Sequence, residues 1–158
     1  MLDSKTKSDE KLKYIVEKIS TIKDIYESCD TIVRAWNYAN CNYSQMMNDS
    51  GVKNTIYMSF IDLSGVLKAV YATEEYSNPL TDVDAQRFIK NLIRKSSIEK
   101  NQILGFRNII AHRDYNNMIS EEEFVELIGI HVLKLRNKFR EEYYDLVEET
   151  EQRNQEIF

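Results

Sequence analysis

The sequence predicts an all-α protein, an up-and-down bundle of about five helices, and three observations carry that expectation. Apolar residues recur at steps of three and four through most of the chain, the period of a helix that buries one face. No segment alternates Val, Ile or Thr with polar residues as a half-buried strand does. The 158 residues include only four glycines and one proline, too few for a β-sandwich, which turns every roughly 8–12 residues. With 42% apolar and 30% charged residues, the chain has the size and composition of one domain around one core. No internal repeat or second composition regime divides it, so residues 9–158 are expected to form a single helical domain behind a flexible N-terminal tail at 1–8.

The first helix rests on Leu12, Ile15, Val16, Ile19, Ile22, Tyr26, Cys29 and Val33, one stripe at helical spacing that extends toward Trp36 and Tyr38. The polar run Asn40 to Asn42 breaks it, and Asn48-Asp49-Ser50-Gly51 reads as a turn. A second helix carries Ile56, Phe60, Leu63, Leu67 and Val70 and stops before Ser77-Asn78-Pro79, because proline cannot continue a helix. Thr81 or Asp82 caps the next, which presents Ala85, Phe88, Ile89, Leu92 and Ile93 before the charged, hydroxyl-rich run Arg94 to Lys100. A short helix of about eight residues is expected between Lys100 and His112. Ser120 to Glu123 has the reciprocal capping-box pattern, followed by the stripe Phe124, Ile128, His131, Leu135, Phe139, Tyr143 and Leu146, a helix of about eight turns whose polar end, Glu148 to Phe158, is an exposed extension. Tyr26, Tyr57, Tyr71 and Tyr143 fall on or beside these stripes and read as core edges.

Charge and cysteine content narrow the function classes. Lys and Arg total 21 against 26 Asp and Glu, a net of −5. Such a chain lacks the global basic field of an electrostatic nucleic-acid binder, so any phosphate must be held locally. No stretch approaches the roughly 20 apolar residues of a membrane span, and Met1 to Glu10 has no signal-peptide apolar core, so a soluble, cytoplasmic protein without membrane contact is expected. Cys29 and Cys41 have no second Cys pair and no nearby His, which supports neither a zinc site nor a disulfide framework; no metal or cofactor is expected.

Polar chemistry concentrates where the fifth apolar stretch ends. There are two histidines. His131 sits inside the last stripe and reads as a core residue, whereas His112 closes the run Ile103 to Ala111 and is followed by Arg113, Asp114 and Tyr115. Asn108 and His112 are four apart and share a helix face. Arg107 is five before His112, about 140° round the axis, so Arg and His converge only where the helix ends or bends, or where another helix closes a cleft over them. An imidazole near its unperturbed pKa of about 6.5 exchanges protons at physiological pH, and a guanidinium stays charged and forks onto phosphate. That combination suits phosphodiester cleavage. Gly105, costly inside a helix, is expected to permit close approach of a neighbouring helix, including one from a second copy.

The string Phe106-Arg107-Asn108-Ile109-Ile110-Ala111-His112 resembles the signature of the HEPN superfamily, the higher eukaryotes and prokaryotes nucleotide-binding domains: Arg, a polar residue that is often Asn, apolar residues, then His. A long first helix, a core helix before the motif and a capped helix after it also resemble the HepT-like branch, toxins of bacterial toxin–antitoxin pairs. The resemblance covers most of the chain in layout and about ten residues in specific sequence. It implies a metal-independent endoribonuclease acting on RNA as a homodimer, with two motifs facing one cleft, Arg107 and His112 as the catalytic pair and Asn108 as a supporting polar residue. HepT-like toxins place Tyr two positions after the His, where a nucleotidyltransferase antitoxin adenylates it. Here that position is Asp114, and Tyr115 follows one residue later. Either the chain loops so that Tyr115 reaches the cleft, or the protein belongs to another branch, such as the abortive-infection-like HEPN proteins, regulated differently.

The resemblance implies attack of the ribose 2′-hydroxyl on the adjacent phosphate, with His112 as general base or acid and Arg107 stabilising the phosphorane. A two-fold pair would gather Arg107 and Arg113 from both chains into one cleft on an acidic body. Two other readings stand beside it. One is a non-catalytic HEPN-type dimeric module that binds RNA or protein. In the other, Arg107 pairs with a carboxylate and His112 caps a helix C-terminus, where the dipole favours a cation.

Overall fold

The computed structural model describes residues 4–72, 80–96, 100–112 and 119–157, and these contain helices and no strand. Helix α1 runs Ser4–Tyr38, so residues 4–8, assigned to the tail on composition, form its first turn. It ends where the Asn40 to Asn42 run predicts. Asn40 and Cys41 take left-handed φ of 56° and 53°, and Cys41 N donates to Trp36 O at 2.9 Å, closing the last turn five residues back. Asn42 then caps the short α2, Tyr43–Asn48, by accepting from Gln45 N at 3.0 Å.

The predicted turn at Asn48 to Gly51 is the junction of α2 with α3, Ser50–Tyr71. Asp49 Oδ1 accepts from both Gly51 N and Val52 N, which satisfies two of the donors that a helix start leaves open. For α4, Val83–Lys95, the cap is Asp82 rather than Thr81, its Oδ1 accepting from Ala85 N at 2.8 Å. Thr81 is engaged elsewhere: Glu17 of α1 accepts from Thr81 N, Thr81 Oγ1 and Asp82 N, tying the entry to α4 onto the first helix. Asp84 in the first turn and Arg94 and Lys95 in the last both suit the helix dipole.

Helix α5 spans Lys100–His112, 13 residues, longer than the short helix expected. Ile103 and Phe106 give it an inward face that begins directly after the charged run. The last rod departs more from expectation. It comprises α6, Glu121–Glu126, a π-helical segment, Leu127–Val132, and α7, Leu133–Ile157, without a gap. Ser120 Oγ accepts from Glu123 N at 3.1 Å, which is half of the predicted capping box. Within the π segment Leu133 N reaches Ile128 O, five residues back. The segment buries Leu127, Ile128, His131 and Val132.

The long rods pack antiparallel. Asp30 of α1 accepts from Arg136 of α7 at 3.2 Å and from Arg34 at 2.7 Å, while Tyr26 stacks near Tyr143. Trp36 meets Phe124 edge-on at 5.7 Å. At the far side Phe106 of α5 lies edge-on to Phe60 of α3 at 4.9 Å and to Phe124 at 5.4 Å, so a chain of aromatic rings runs from α1 through α6 and α5 to α3. Tyr26, Tyr57, Tyr71 and Tyr143 border this core as the stripes imply. No helix among the described residues is long and apolar enough to cross a membrane.

Two stability outcomes follow from the packing. Phe106→Ala removes the central ring and is expected to lower unfolding free energy by about 3–5 kcal/mol, measured by urea denaturation. His131 is buried, and neither ring nitrogen has a hydrogen-bond partner among the described residues. A buried unpartnered polar group costs roughly 1–3 kcal/mol. His131→Leu is therefore expected to raise the melting temperature by several degrees; an unchanged or lower midpoint would mean that the imidazole is hydrogen-bonded in solution.

Candidate functional site

The site predicted from sequence lies on α5, and Phe106 sets its orientation. With Ile103 and Phe106 turned inward, Arg107 stands on the flank of the helix, half-buried, and Asn108 stands on the exposed face. Arg107 Nη1 donates to Asn108 Oδ1 at 3.2 Å. That neighbour contact is the guanidinium's hydrogen bond among the described residues, and no carboxylate lies within ion-pair distance of it there. The expectation that Arg107 is neutralised by an acidic side chain therefore finds no partner among the described residues.

Helix α5 is unbroken through position 112. Since the axis turns about 100° per residue, positions 107 and 112 are about 140° apart and roughly 7.5 Å apart along it. One copy of α5 does not by itself converge them, whereas position 112 stacks one turn above Asn108. The side chain of His112, and Arg113, Asp114 and Tyr115 altogether, lie outside the described residues.

On the opposite flank α5 and α6 enclose a groove of about 230 Å³ lined by Gln102, Gly105, Ile109, Glu123, Glu126 and Leu127, with Phe106 in its floor. Arg107 is about 160° round the helix from Gly105, so this groove and the guanidinium face different directions. Gly105 is exposed, and a Cβ built on it would have no atom within 4 Å. The close approach that Gly105 permits is thus not used by another helix of the same chain among the described residues. The groove was not anticipated. Its one sequence signal is the spacing of Gln102, Gly105 and Ile109 at three and four residues, a second face beside the apolar one.

Neither cysteine enters the site. Burial pushes the Cys29 thiol far above its ordinary range, and Cys41 is exposed with its Sγ donating to Asn37 Oδ1 at 3.3 Å. Among the described residues no group of three or more His, Cys, Asp or Glu side chains is placed to hold a metal ion. Among the described residues, α5 offers a guanidinium beside an amide and away from any carboxylate, on the helix that carries His112. Comparison with protein-family models, curated proteins and solved structures found no match to this chain.

Proposed function

We propose that this chain is a metal-independent endoribonuclease of the HEPN superfamily, a cytoplasmic toxin of a toxin–antitoxin or phage-defence system that works as a homodimer. The observation that carries the reading is Arg107: a cation on the flank of α5, bonded to Asn108 and to no carboxylate among the described residues, five positions before His112. An uncompensated guanidinium is suited to a phosphate, which it grips with two parallel N–H donors.

Dimerisation supplies the convergence that one α5 lacks. When two copies of α5 face each other across the side that holds Asn108, between Arg107 and position 112 round the axis, Arg107 of one lies across from the motif of the other. His112 then takes the proton from the ribose 2′-hydroxyl as that oxygen attacks phosphorus, or returns one to the departing 5′-oxygen. Arg107 balances the charge that grows on the equatorial oxygens, and Asn108 orients Arg107 or the phosphate. The nucleophile belongs to the substrate, and the products carry 2′,3′-cyclic phosphate and 5′-hydroxyl ends. Tyr115, one place beyond the position adenylated in HepT-like toxins, is a candidate for modification by a nucleotidyltransferase antitoxin, with Arg113 and Asp114 as contacts to substrate or partner.

A second reading is favoured by one feature. Glu123 and Glu126 line the groove beside α5, and carboxylates there repel RNA from that flank, which suits a dimeric protein-binding module without catalysis.

Purified protein incubated with ribosomal RNA in EDTA is expected to cut it and leave cyclic phosphate ends. Arg107→Ala and His112→Ala are each expected to slow cleavage by about a hundredfold or more. Intact RNA, or a His112→Ala variant as fast as the parent, overturns the nuclease reading in favour of the binding module.

A further inference from the structure

A larger groove lies between α1 and α3, with a volume of about 640 Å³. It follows α1 from Val16 to Ser28, roughly 18 Å at about 1.5 Å per residue. Its floor is low because small side chains line it: Ser20, Thr21 and Ser28 on α1, Gly65 and Ala69 on α3. A Cβ on Gly65 would meet nothing within 4 Å. Val16 is 55% exposed at one end, with Leu12, 60% exposed, one turn earlier on the same helix. These two are the part of the α1 stripe that the bundle leaves uncovered.

The charged residues lining the groove are all acidic: Glu17, Asp24, Glu27 and Asp62. Glu17 is engaged with the start of α4, and Glu27 has only a distant exposed contact to Lys23 at 3.9 Å. Asp24 and Asp62 form no ion pair or hydrogen bond among the described residues. The carboxyl of Asp24 is held above its ordinary range by partial burial and by the neighbouring Glu27, so a cation placed beside it would be favoured.

We propose that the α1/α3 groove docks a Lys- and Arg-bearing amphipathic helix of a different protein. The apolar strip and small-residue floor fit the buried face of a helix packed at close range, and the acidic rim fits cations along its sides. Phosphate is excluded by the same carboxylates, so RNA is not the occupant. A second copy is disfavoured by symmetry: a two-fold contact sets a patch against itself, which would place these carboxylates against their own images. The groove also lies on the side of α3 away from Phe60 and Tyr57, the residues that face α5. A partner seated there leaves Arg107 uncovered, and the inference does not rest on the nuclease reading.

The test is titration of the isotope-labelled full chain with a synthetic helix-forming peptide of Leu, Ala and Lys, followed by amide NMR shifts and fluorescence anisotropy. A control peptide carries Glu in place of Lys. Saturable shifts at Ser20, Thr21, Gly65 and Ala69, weakened by salt and absent with the Glu peptide, are expected. Gly65→Leu, at an exposed position where a Cβ meets nothing within 4 Å, and the double variant Asp24→Asn/Asp62→Asn are each expected to weaken binding by about tenfold or more, with an undiminished melting temperature. The proposal is overturned by absence of binding at millimolar peptide, by shifts mapping elsewhere, or by equal binding of the Glu peptide. Self-association of the parent chain through this groove, broken by Gly65→Leu, would also overturn it by making a second copy the occupant.

Discussion

The placement of Phe106 is the constraint on which the rest of the arrangement depends. Its ring is in edge contact with Phe60, Tyr57 and Phe124, and Phe124 in turn meets Trp36 and Tyr43. Five helices therefore report to one aromatic cluster, α1, α2, α3, α5 and α6. Edge-to-face contacts are directional, each adding about 0.5–1.5 kcal/mol beyond area burial, and an α5 rotated about its axis would lose several at once. Because Arg107 is the next residue, the same cluster that stabilises the core dictates where the guanidinium emerges. Core packing and candidate chemistry are coupled through one peptide bond.

Charge in this chain is distributed in a way its net value of −5 does not reveal. Asp30 is shared between Arg34 and Arg136, and this partly buried link fixes the register of α1 on α7. Breaking one arm would strand a charge in a half-buried seam, the costly case for ion pairs. The surplus carboxylates are elsewhere, along the α1/α3 groove and in the first turn of α6, where Glu121, Glu122 and Glu123 suit the helix dipole. Arg107 is thus a local exception on an acidic body, and its field acts over about one Debye length, roughly 8–10 Å. Such a site attracts phosphate only at contact range, which favours a shaped cleft over long-range steering.

Much of the bundle was legible because its stripes are long and obey one period. The α1 stripe, the Asn40 stop, the break at Asn48 to Gly51 and the Ser120 cap all depend on residues within a few positions of each other, and local chemistry decides them, although the same break hid the Asp49 cap and the short α2 before it. What escaped depends on distant partners. Asp82 rather than Thr81 caps α4 because Glu17, some 64 positions earlier, has engaged Thr81. The π segment carries no local signal, because its spacing reads equally well as plain helix. For the candidate site, the neighbours of Arg107 depend on how α5 packs and were not legible, whereas the residue types and the five-residue step were, and on an unbroken helix that step sets positions 107 and 112 about 140° apart.

That last point gives the fold its functional logic. A single chain that held Arg107 and His112 together in a closed pocket would carry a finished site whatever its neighbours. Here α5 carries the two residues on different faces, the guanidinium has no carboxylate to pair with among the described residues, and Gly105, on the opposite flank, has none of the described helices against it. The charge without a described counter-ion and the helical glycine, worth about 0.5–1 kcal/mol against Ala, are local costs. Local costs of this kind are retained where a surface is completed by something else. On the proposed nuclease reading, the arrangement would make activity conditional on assembly, so that control of association would also be control of chemistry, and a partner on the far side of α3 would act on the body of the bundle without competing for the site itself.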